Sequence, residues 1–137
     1  MLYIGIDLGT SAVKLLLMDV DGKIKKIASR TYDLSFPHPG WSEQNPADWY
    51  EQSIDGLKEL LAECDKSRVA GISFGGQMHG LVTLDERDEV IRPAILWNDG
   101  RTAEETDYLN QVIGKETLSD IPRILPSPDL RRQRFSG

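Results

Sequence analysis

The sequence predicts an α/β domain with a mixed sheet that opens as an antiparallel meander. Three observations carry this expectation. Two apolar runs rich in branched residues, Leu2 to Ile6 and Val13 to Leu17, flank the polar stretch Asp7-Leu8-Gly9-Thr10-Ser11, which reads as strand, turn, strand. A third strand pattern, Lys23 to Tyr32, follows an Asp21-Gly22 hairpin turn. Helix signals begin only afterwards, at Asn45-Pro46, ahead of a further apolar run from Val69 to Phe74.

The first turn carries more chemistry than a chain reversal needs. Gly9 lets a backbone N–H approach a ligand oxygen, and Thr10 and Ser11 add hydroxyl donors, a combination that suits a phosphate. Asp7 would repel that phosphate unless a cation lay between them, and Mg²⁺ on a nucleotide fills that role. Lys14 adds positive charge. The same residues also suit a plain hairpin whose Asp and Thr satisfy their own backbone, and spacing alone leaves both readings open.

Asp33 to Asn45 is a loop in which Pro37, His38, Pro39 and Gly40 interrupt regular structure before Trp41-Ser42-Glu43-Gln44. His38 reads as a solvated loop histidine, whereas Trp41 is expected to pack on something. Asn45 is the N-cap of the first helix, with Pro46 at its first position and Asp48 near its positive end. Trp49, Tyr50, Ile54, Leu57, Leu60 and Leu61 keep a helical period through about Glu63, giving an amphipathic helix that lies on the sheet.

Val69 to Phe74 reads as a central strand covered on both faces. It empties into Gly75-Gly76-Gln77-Met78-His79-Gly80. Ligands of open α/β sheets bind beyond strand ends, so Gln77, Met78 and His79 are candidate substrate contacts. A glycine-rich turn with an incidentally exposed histidine is the plainer alternative. Leu81 to Leu84 and Glu89 to Ile91 read as a hairpin around Asp85-Glu86-Arg87-Asp88, and Pro93 to Trp97 as a short strand ending at Asn98-Asp99-Gly100-Arg101. Thr102 to Ile113 has a helical pattern stopped by Gly114. Three strands therefore end in polar clusters, at Asp7, Gln77 and Asn98.

The 137 residues fit one domain, and 39% hydrophobic with 28% charged content is ordinary for a soluble globular protein. A net charge of −6 argues against a nucleic-acid partner. No apolar run reaches the roughly 20 residues of a membrane span, and the N-terminus lacks the basic region of a secretory signal, so a cytoplasmic location without membrane partners is expected. Cys64 is the single cysteine, which excludes an intrachain disulfide framework and a Cys-based metal site and reads as an inert, partly buried thiol.

Taken together, IGIDLGTSAVK, PHPGWSEQNPADWY, GISFGGQMHG and PAILWNDGR resemble the N-terminal domain of the FGGY carbohydrate kinases, most closely the xylulokinase branch. The resemblance covers Met1 to about Asp120. It implies the ribonuclease H-like fold shared with actin, Hsp70 and hexokinase, with the active site in a cleft between two such domains, of which this chain holds part of the first. It also implies transfer of the γ-phosphoryl group of ATP, with Mg²⁺, to D-xylulose. The products are ADP and D-xylulose 5-phosphate. A kinase of another ketose or polyol, or a catalytically silent fragment, are the alternatives.

By the same resemblance, Asp7 corresponds to the family carboxylate near the transferred phosphoryl group and reaches Mg²⁺ through bound water. Gly9, Thr10, Ser11 and Lys14 match the first phosphate loop. Met78 and His79, with Gln77 before them, match the pair that contacts the sugar, where glycerol kinases carry Arg-Glu. Asp99 belongs to the strand end beside the sugar pocket, with an ordering role favoured over chemistry. The family's catalytic base is an Asp in the second half of the protein, and this chain lacks it together with the second phosphate motif and the adenosine motif. The implied partner is a small-molecule sugar, and a homodimer is allowed for the full-length form.

From Pro122 onward the chain changes character, with three prolines, four arginines and no hydrophobic period. Residues 1–120 are therefore read as the partial kinase domain and 121–137 as a disordered tail. Codons permitted for Ile121 to Gly137, with one A restored after the first, read ITTNIAFTGFTAPKILW, which contains the family's GFTAPK segment. The hypothesis is that a single-base deletion produced the tail. Resequencing the coding DNA from the Asp120 codon is expected to show another frame running through GFTAPK, and its absence would make the tail genuine.

Overall fold

The computed structural model describes residues 1–114 and Thr117. The expected boundary at residue 120 and the tail beyond it lie outside these residues. Strands β1 (Leu2–Leu8), β2 (Ala12–Asp19) and β3 (Ile24–Thr31) form the antiparallel meander. Two-residue strand β4 (Glu43–Gln44) precedes helix α1 (Pro46–Leu61), strand β5 (Val69–Gly76), strand β6 (Ala94–Ile95) and helix α2 (Ala103–Tyr108). The main sheet has the order β3-β2-β1-β5, with β5 parallel to β1, and β4 pairs antiparallel with β6 in a second small sheet.

Local chemistry accounts for the element ends. Gly22 sits at φ 78, where a β-carbon is disfavoured. Asp19 Oδ1 accepts from the amides of Asp21 and Lys23 and closes that turn. Asn45 caps α1 by accepting from the Ala47 amide at 3.2 Å, with Pro46 at the first helical position.

Period-2 alternation decides the core. Leu2, Ile4 and Ile6 of β1, Val13, Leu15 and Leu17 of β2 and Ala28 of β3 are buried on one face, where they meet Leu60 of α1. Trp49, Leu57 and Leu61 of α1 pack against the rim of this cluster. The helix lies over β2 and β3. Gly56 allows that approach, because a β-carbon there would stand 2.4 Å from Leu15 Cδ1.

Several sequence expectations need correction. Among the described residues β5 is an edge strand and not a central one, and its Ile72 and Phe74 are 50% and 69% exposed. An apolar run shows what a strand can bury and says nothing of what covers it. The 81–91 hairpin does not form a ladder; only the bridge between Leu84 and Val90 joins its arms, while Leu81 bridges to Ile95 of β6. The helix expected over 102–113 forms in two parts, α2 giving way at Leu109 to a π-helical stretch ending at Gly114, whose φ is 85.

Candidate active site

Alternation along β1 places Asp7 on the sheet face away from α1, beside Lys14 of β2 and Gly75 of β5, its register partners. A β-carbon on Gly75 would stand 3.8 Å from Asp7 Oδ1. Asp7, Lys14, Ser73 and Gly75 line a cavity of about 380 Å³ on that face, whose remaining wall includes Leu16 and Ile27. The arrangement puts one carboxylate and one ammonium side by side in the lining of a mostly apolar recess.

The turn after β1 is held from three sides. The Gly9 amide donates to Ala12 O at 3.0 Å, so this N–H closes the turn. Glycine also suits this place because a β-carbon would crowd Ala12 O at 3.0 Å. The Tyr32 hydroxyl donates to Gly9 O. Burial, and then the charge of Asp7, raise the Tyr32 pKa above its ordinary value, which keeps the phenol a donor. The Trp97 indole donates to Thr10 Oγ1 at 3.2 Å, leaving the Thr10 O–H as a donor for something else. Ser11 is exposed beside it.

The turn after β5 starts where the Gln77 amide donates to Leu8 O at 2.7 Å, extending the parallel pairing into the loop. His79 adopts φ 59, a left-handed conformation costing a non-glycine residue roughly 1–2 kcal/mol. Gln77 and His79 line a second cavity of about 230 Å³ with Leu8, Trp49, Gly76, Gly80 and Val82. Gln77 Oε1 is buried and has no hydrogen-bond partner among the described residues. Met78 is 45% exposed. The structure thus joins Asp7 with Lys14 in one recess and Gln77 with His79 in another, both at the carboxyl ends of β1 and β5.

Asp99 sits apart from both recesses. Its Oδ2 accepts from the Ser42 amide at 2.6 Å and from Arg101 Nη2 at 2.7 Å, and its Oδ1 from the Arg101 amide and Nε. Burial pushes its carboxyl up, but the bonds from Arg101 and Ser42 outweigh burial and hold it below the ordinary range. Arg101 also reaches Glu43 at 2.8 Å, and Arg92 meets the same Glu43 oxygen at 3.0 Å. The guanidinium lies 3.7 Å from the Trp41 ring centroid, the partner that this aromatic was expected to have, and His38 meets Trp41 edge-on. Both oxygens of Asp99 are thus occupied by donors from Ser42 and Arg101.

Sequence reasoning missed Tyr32, Arg101, Glu43 and above all Gln44, which is 2% exposed. Gln44 Nε2 donates to Thr10 O at 2.7 Å and Asp33 O at 3.2 Å, and its Oε1 accepts from Trp49 Nε1 at 3.0 Å and Gln77 Nε2 at 3.2 Å. The only signal in the sequence was a run of polar residues directly before a helix cap.

The arrangement has clear relatives. The N-terminal domain of the FGGY family of carbohydrate kinases matches residues 2–128. The xylulose kinase of Bacillus subtilis (strain 168) is 46% identical over 117 residues, 84% of this chain and 23% of that protein. A crystal structure described as a xyloylose kinase from Brucella ovis superposes with a TM-score of 0.76 at 46% identity, over 80% of this chain and 24% of the other. A gluconate kinase from Lactobacillus acidophilus reaches the same TM-score of 0.76 at 29% identity, over 80% of this chain and 22% of its own. This chain spans about a quarter of the length of such relatives. A match to the domain over most of the sequence, with an actin- and hexokinase-like mixed sheet that agrees with it, makes this chain a member of the FGGY family of carbohydrate kinases.

Proposed function

We propose that residues 1–114 form one wall of a sugar kinase site that phosphorylates D-xylulose. The observation that carries the reading is the pair of turns at the ends of the parallel strands β1 and β5, joined by the bond from the Gln77 amide to Leu8 O. One turn offers Asp7, Lys14 and the Thr10 hydroxyl to a phosphate, and the other offers Gln77 and His79 to a polyhydroxy substrate. The sugar is the finer part of the proposal. It rests on the xylulose kinase relatives and on Gln77 Oε1, an unpaired acceptor of the kind a sugar hydroxyl would satisfy.

The residues fit a magnesium-bound nucleotide. Asp7 is exposed beside Lys14, and no cluster of three or more His, Cys, Asp or Glu among the described residues could hold a metal ion. A lone carboxylate suits an ion that keeps several waters and takes its remaining ligands from phosphate, which is how Asp7 would serve it. The ion would supply charge neutralisation on the phosphates. Lys14 and the Thr10 hydroxyl would orient the phosphoryl group, while His79, Met78 and Gln77 would position the sugar hydroxyl; such positioning is the main protein contribution to phosphoryl transfer. Family membership also supports a longer protein that acts on a small molecule in the cytoplasm.

The test places residues 1–114 in the xylulose kinase of Bacillus subtilis in exchange for the matching stretch. ADP release with D-xylulose is expected to exceed that with gluconate or glycerol. In this chimera His79→Ala should raise the sugar KM about tenfold, the loss of one hydrogen bond of roughly 1.4 kcal/mol, and leave the ATP KM nearly unchanged. Equal effects on both, or a preference for another sugar, would overturn the assignment.

A further inference from the structure

We propose that Gln44 is a positioning residue that sets the distance between the turn after β1 and the turn after β5. The inference rests on the reading of these turns as phosphate and sugar contacts. Its own evidence is geometric. One buried amide meets four groups from four segments: the Thr10 carbonyl, the Asp33 carbonyl, the Trp49 indole and the Gln77 side chain.

Glutamine suits this place because of how its donors and acceptors divide. The two carbonyls can only accept and the indole can only donate, so the amide orientation is dictated by its partners. Both N–H groups and both acceptor positions are used. Glutamate would set acceptors against two carbonyls, and methionine, of similar length, would satisfy none of the four. The backbone fixes where the amide starts, since Gln44 pairs with Ala94 in the small sheet, which is fully buried, and Asn45 caps α1 immediately after it.

The brace reaches both turns at functional points. On the β1 side it holds the carbonyl of Thr10 while Trp97 holds the hydroxyl of the same residue, so Thr10 is fixed by side chain and backbone together. On the β5 side it takes one N–H of Gln77 and leaves Gln77 Oε1 buried without a partner. Gln77 thus presents its acceptor in one orientation. A shift of Gln44 would move a phosphate donor and a sugar acceptor together.

The experiment uses the ¹⁵N-labelled 137-residue chain without ligand. In Gln44→Met the indole signal of Trp97 and the side-chain amide of Gln77 are expected to move, although Trp97 bonds Thr10 and not Gln44. If only the Trp49 indole moves, Gln44 serves local packing and the proposal fails. Should Gln44→Met lose its dispersed spectrum, Gln44→Glu decides by pH. Its neutral acid keeps a donor and an acceptor, so the native Trp97 and Gln77 positions should return at low pH and be lost as pH rises; positions that stay constant across pH would equally end the proposal. Adding D-xylulose to the unsubstituted chain separates the two readings: unmoved Gln77 and His79 signals count against the sugar and leave the brace standing.

Discussion

Replacing Arg101 by Ala is expected to lower the unfolding free energy by about 3–5 kcal/mol, the typical cost of removing one partner from a buried ion pair. The side chain of Arg101 is 12% exposed, and its partners Asp99 and Glu43 are 3% and 10% exposed. Without the guanidinium, Asp99 keeps only backbone donors, and Glu43 keeps Arg92, whose side chain is 43% exposed. Trp41 loses its stacking partner as well. Urea unfolding at neutral pH gives the size of the effect, and a loss under 1 kcal/mol would mean that water reaches these carboxylates.

The pH dependence of the same pair has a definite sign. Burial alone would raise the Asp99 pKa, but the bonds from Arg101 and the Ser42 amide hold it below its ordinary value. A carboxyl whose folded pKa is depressed contributes stability above its unfolded pKa and loses it as pH falls through the folded one. Arg101→Ala removes the largest lowering influence and leaves burial in place. Its acid unfolding should therefore begin at higher pH than that of the unsubstituted chain. Arg101→Lys should recover part of the stability, since an ammonium keeps the charge but not the fork that spans Asp99 and Glu43 or the flat face over Trp41.

The second large effect concerns turnover. In the chimera described above, Asp7→Ala should lower kcat by on the order of 10²- to 10³-fold, in the range found when one preorganised electrostatic group is removed from a reacting centre. Asp7 is exposed on the sheet face opposite the core, so its replacement should leave the unfolding midpoint nearly unchanged. That separation makes the result informative. Near-normal turnover would remove Asp7 from phosphoryl transfer, and lost folding would show that the carboxylate is structural.

How much of this was legible follows from the range of each interaction. The meander was readable because its alternation repeats over seven or eight residues and its turn carries Asp21-Gly22. The start of α1 was readable because Asn45, Pro46 and Asp48 act within one turn of helix. The β4–β6 pair was not, since two residues hold no period. Ser42, Glu43 and Gln44 close a proline-rich loop in the sequence yet are buried at 3%, 7% and 2%, because Asp99 takes the Ser42 amide, Arg101 meets Glu43, and Thr10 and Gln77 meet Gln44, all from distant parts of the chain. The polar ends of β1 and β5, with Asp7, Thr10, Gln77 and His79, could be named as candidates from residue type at strand ends. Gln44 was missed because its partners meet only in the fold.

The parallel pairing of β1 with β5 also fixes the order in which this region can form. β1, β2 and β3 can join through short hairpins as soon as residues 2–31 exist. Leu8 gains its Gln77 neighbour only after the whole of α1 and β5 has been made and folded back. Long-range closure of this kind is slow compared with local hairpins. During synthesis the turn after β1 therefore waits, half assembled, for the turn after β5. A nascent chain interrupted before Gly76 would own a meander and a helix but no paired turns.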